Sequence, residues 1–159
     1  MSEYSYMWQL IKIRVCQNSK IPLNETYTAK SHAGEMVKLR VLQIFTLECI
    51  LNEYRRENAT PFAPLTGEAA LQHMIFIKTK WPLTTIRKLS LQDALFIIND
   101  QLHISKLPKE AQIFIENQGI QTNGYHIATF PNEDWNPKEN SVFFQEQSFF
   151  SDHSIKIIH

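Results

Sequence analysis

A chain of 159 residues with 43% apolar and 20% charged side chains belongs with ordinary soluble globular proteins and not with disordered ones. Its 16 basic and 16 acidic residues cancel, so it lacks the positive excess that marks most nucleic-acid binders. Two cysteines, Cys16 and Cys49, cannot build a disulfide framework, and the opening "MSEYSYMWQLIKIRV" has no apolar block of the signal-peptide kind, so a reducing cytoplasm is the expected compartment.

Residues 8–15 alternate, with Ile11, Ile13 and Val15 on one face and Lys12 and Arg14 on the other. That pattern predicts a half-buried strand. Residues 35–57 carry the longest helical pattern, roughly 35 Å at 1.5 Å per residue. Val41, Ile44, Phe45, Leu47, Ile50, Leu51 and Tyr54 cover more than one face, which predicts neighbours on two sides. Lys38, Arg40, Gln43 and Glu48 interrupt this pattern, so it falls short of the ~20 apolar residues of a membrane span. Arg55 and Arg56 sit in its last turn, where cations favour the helix dipole.

Thr66 is placed to cap a helix through "GEAALQHMIFIKTK". Pro82 starts a short helix, and Ser90 with Asp93 resembles a capping box for another running to about Ile104. Pro108 opens "PKEAQIFIEN", and Gly119 stands just past its end. Beyond it, "TNGYHIATF", "SVFFQEQSFF" and "SIKIIH" read as strands, the first introduced by a hairpin-type Asn-Gly pair. The expectation is one α+β domain over 1–159. It has one N-terminal strand, about five helices as a core over about 34–119, and a C-terminal antiparallel β-meander over about 120–159.

The chemistry-bearing residues form no known pattern. Gly34, Gly67, Gly119 and Gly124 are isolated, whereas phosphate-cradling loops need clustered glycines. The histidines are scattered, with no i, i+4 pair to hold zinc, so neither a metal nor a cofactor is implied. Ser151, Asp152 and His153 contain the residue types of a hydrolytic triad, but consecutive residues on an extended chain point apart. Cys49, flanked by Leu47, Ile50 and Leu51, reads as a core residue.

Two surfaces remain. Lys78, Lys80, Arg87 and Lys88 form a basic turn, as in a helix-turn-helix. The helix that would read DNA carries Asp93 and Asp100 and the apolar run Leu95 to Ile98, which argues against that use. The C-terminal region offers the acidic loop Glu133, Asp134 and Glu139, the tryptophan Trp135, and paired phenylalanines including Phe144 and Phe149. Those aromatics either close a second small core or form a binding patch. The expected function is therefore a non-enzymatic protein–protein interaction, in specific form a small bacterial immunity protein that neutralises a toxin. Its acids would stand in for phosphates if the toxin were a nuclease. The alternatives are a nucleic-acid accessory protein using the basic turn Lys78 to Lys88, and an unrecognised hydrolase built from dispersed residues.

Overall fold

The stretch predicted as an N-terminal strand is helical. In the computed structural model, which describes residues 3–27, 31–120, 130–138 and 140, helix α1 spans Glu3–Ser19. Its buried residues, Met7, Trp8, Ile11, Lys12, Val15 and Cys16, recur every three or four positions, the spacing of one helical face. The alternation of Ile11, Ile13 and Val15 is incidental, since Ile13 is 41% exposed while the other two are buried. Lys12 is buried as well, its ammonium 4.7 Å from the centre of the Tyr27 ring.

Among the described residues α1 is followed by helices α2 (His32–Asn58), α3 (Ala69–Thr79), α4 (Leu83–Arg87), α5 (Leu91–Ile97) and α6 (Lys109–Asn117). No β-strand occurs among the described residues, 74% of which are helical, so the α+β expectation gives way to an all-α fold. The three C-terminal strand candidates lie outside the described residues, apart from Phe130.

Helix α2 is the centre of the core. Val41, Ile44, Phe45, Leu47 and Leu51 are almost wholly buried, which requires neighbours on more than one side, as predicted. Phe45 meets the Trp8 ring of α1 edge-on at 5.2 Å and stacks on Phe114 of α6 at 5.4 Å. Each large apolar side chain buried this way contributes about 2 kcal/mol. Ser31 caps α2 by accepting from the Gly34 amide at 3.0 Å. A Cβ on Gly34 would lie 2.1 Å from the Glu25 carbonyl oxygen, so only glycine lets this first turn rest against the short 3-10 turn Leu23–Tyr27.

The start of α3 differs from expectation because of Arg55. This side chain is buried, and its guanidinium donates to the carbonyls of Leu65 (2.6 Å) and Gly67 (3.1 Å). It thus pins residues 65–67 as a turn, with left-handed φ of 58° at Leu65 and 61° at Gly67. Thr66 lies inside that turn, and α3 begins at Ala69 without a side-chain cap. Ser90 does cap α5, accepting from the Asp93 amide at 3.1 Å. That helix stops at Ile97, well before Ile104, and continues as 3-10 turns Asn99–Gln101 and Ile104–Lys106. Asn99 and Asp100 favour such breaks, because their side chains compete for backbone groups. Pro108 and Gly119 (φ 61°) bracket α6 as expected.

Candidate functional site

The segment after α6 returns to α1 and α2, and buried polar groups hold it there. Asn18 of α1 donates to the Glu133 carbonyl (2.9 Å) and to Asp134 Oδ1 (3.0 Å). Arg40 of α2 faces Asp134 with Nε 3.9 Å from Oδ2, and both side chains are buried. Burial lowers the Arg40 pKa, and Asp134 opposes that effect. The same guanidinium lies 4.2 Å from the centre of the Phe130 ring, a cation–π contact.

Beneath Trp135 lies Glu48, which is fully buried. Its Oε1 accepts from the Trp135 indole N–H and from the Asn140 amide (3.4 Å), while Asn140 Oδ1 accepts from Arg14 at 3.1 Å. Burial pushes the Glu48 carboxyl up to about 7, against the opposing pull of the Trp135 and Asn140 hydrogen bonds and of Arg55 and Arg14. Glu48 Oε2 and Arg55 Nη1 are buried without a hydrogen-bond partner among the described residues. Burying charge is costly unless it is paired, so these contacts fix where the segment docks.

So anchored, the segment forms one wall of a groove of about 700 Å³. Glu133, Trp135, Asn136, Pro137 and Lys138 line it together with Thr66, Gly67, Glu68, Ala69 and Gln72 from the start of α3. A cleft of about 240 Å³ shares Glu68, Gln72, Trp135 and Pro137 and extends to Ile75, Arg87 and Ser90. The lining mixes polar and apolar side chains, with the start of α3 on one wall and residues 133–138 on the other.

Sequence-predicted site residues thus fall in different places. Glu133 is exposed on the groove, Trp135 is half-buried in its wall, and Asp134 turns inward to Asn18 and Arg40. Glu139, Phe144 and Phe149 lie outside the described residues, as do Ser151, Asp152 and His153. In the basic turn, Lys78 pairs with Asp100 and Lys80 lies 5.4 Å from the Phe76 ring centre. Arg87 and Lys88 are exposed.

The residues that sequence reasoning missed are Asn18, Arg40, Glu48 and Asn140. A signal for two of them exists in α2. Arg40, Glu48 and Arg55 stand seven or eight positions apart, about two helical turns, so these three charged residues share one face of α2 and all are buried. His73 hydrogen-bonds through Nδ1 with the Tyr54 hydroxyl at 2.5 Å. Cys16 and Cys49 are free and buried, and burial raises both thiol pKa values. Among the described residues no group of three His, Cys, Asp or Glu side chains could hold a metal ion, and no helix is long and apolar enough to cross a membrane. No family model, curated protein or solved structure matches the chain.

Proposed function

We propose that this chain is a non-enzymatic protein-binding protein whose groove between α3 and residues 131–138 takes an extended segment of a partner. The observation that carries this reading is the placement of Trp135. Its indole N–H is held from beneath by Glu48, and its side chain is a common wall of both clefts along α3. A tryptophan fixed in a partly desolvated wall is the type of residue on which binding energy concentrates. The rim of the larger groove carries two exposed acids, Glu68 and Glu133, against one exposed base, Lys138. That balance complements a basic partner.

The specific form is a bacterial immunity protein that holds a basic toxin, such as a nuclease, inactive in the cytoplasm, where buried thiols such as Cys16 and Cys49 stay reduced. Glu133, not Asp134, then meets the partner's cations, because the Asp134 carboxylate already faces Arg40 and Asn18. The test is co-purification from the native host with the chain as bait. Reversing Glu68→Lys and Glu133→Lys, both at exposed positions, is expected to abolish capture of the partner. A partner retained equally by this double variant refutes the groove.

A second reading, a nucleic-acid accessory protein, is favoured by Trp81, which is 41% exposed in the turn that also exposes Lys80, Arg87 and Lys88. Aromatic and basic side chains together suit single strands. Binding of a single-stranded oligonucleotide at low salt, lost as salt rises, is its signature. No binding at low salt removes it.

A further inference from the structure

A separate cleft of about 480 Å³ lies between α2 and α5 and shares no lining residue with the Trp135 groove. Its volume falls within the range of small-molecule sites, roughly 300–1,000 Å³. Leu42 and Leu47 of α2, Leu95 of α5, Leu102 and Phe130 make it largely apolar. Phe96, also in the lining, is 84% exposed, unusual for a phenylalanine with no apolar partner to cover it.

Five polar residues stand in the lining, Gln43, Thr46, Gln92, Asp93 and Asn99. Among the described residues Asp93 brings the one formal charge of the lining, and no cation pairs with its carboxylate. Thr46 is more than nine-tenths buried, and its hydroxyl has no hydrogen-bond partner among the described residues. The Gln43 side-chain oxygen is buried in the same unpaired state. An unpaired buried acceptor costs about 1–3 kcal/mol, so each would gain from a donor brought by a ligand.

We propose that this cleft binds a small organic cation, a compound with an apolar body and one ammonium group. The ammonium brings three donors and a positive charge to Asp93 and the neighbouring acceptors. The apolar body fills the space between Leu47, Leu95 and Phe130 and covers Phe96, whose ring face also attracts a cation. This inference stands apart from the protein-binding reading, since the two sites share no residue.

The probes are 2-phenylethylamine and 3-phenylpropionate, which have similar bodies and opposite charges. Each is titrated into the 15N-labelled full chain, following amide shifts. The amine is expected to shift the amides of Gln43, Thr46, Leu95 and Phe96 and to bind at least about tenfold more tightly than the acid. Asp93→Asn is expected to remove that preference, and Phe96→Ala, at an exposed position, to weaken the amine while amide shifts of the free protein change only near residue 96. Equal binding of both probes, a preference that survives Asp93→Asn, or shifts that avoid these four residues overturn the proposal. So does the absence of any shift.

Discussion

Glu48→Gln isolates the effect of a fully buried carboxyl. Glutamine keeps the side-chain oxygen that accepts from Trp135 and Asn140, and it removes the charge. The carboxyl pKa rises from the ordinary 4.5 to about 7 because burial penalises the anion. At about 1.4 kcal/mol per pH unit, that rise corresponds to about 3 kcal/mol of folding free energy. The raised pKa means that the folded state holds the proton more tightly than the unfolded one. Its stabilising contribution is therefore complete below about 4.5, falls as pH rises, and is gone above about 7. Urea unfolding of wild type and variant at pH 4.5 and pH 8 reads this directly. The stability difference should move by about 3 kcal/mol in favour of the variant between the two pH values. A difference that does not change with pH would mean that Glu48 titrates alike in the folded and unfolded chains. A shift in the opposite direction would mean that Arg14 and Arg55 hold Glu48 as a favourable anion.

Gly34→Ala places a methyl group 2.1 Å from the Glu25 carbonyl oxygen, so either α2 or the turn Leu23–Tyr27 must move. The expected loss is about 3 kcal/mol, read as a lower urea midpoint. Asp134→Ala leaves the Arg40 guanidinium buried without its carboxylate. It should cost about 3 kcal/mol and speed amide exchange selectively over residues 131–138.

What could be read from the chain depended on the range of the interaction. Ser90, Pro108 and Gly119 act within a few residues, and their helix ends fall where their chemistry places them. Helix α2 was legible because its apolar pattern persists for about four turns, from Val37 to Leu51. Helix α1 was misread because five residues of alternation fit a strand, and only the wider set from Met7 to Cys16 shows the helical repeat. The expected α+β sheet joined that strand to a C-terminal meander, whose candidates lie outside the described residues apart from Phe130. Thr66 was misassigned because the group that shapes its turn, Arg55, acts from the end of the preceding helix.

The direction in which an acid faces is set still farther away. Asp134 turns inward because Asn18, 116 residues distant in sequence, and Arg40 wait beneath it. Trp135 lies 87 residues from Glu48. An acidic loop with one tryptophan reads as solvated when those partners are unknown. Two residues of that loop, Glu133 and Trp135, line the groove.

On the proposed function a partner protein lies in the groove along α3. A photo-crosslinking amino acid at Gln72, which lines both clefts, reports it most directly. The same label at Gln112 on α6, outside both linings, is the control. In host cells one protein-sized crosslinked adduct is expected from position 72 and none from position 112. Adducts of equal yield from both positions, or none from position 72 with the fold intact, would contradict it.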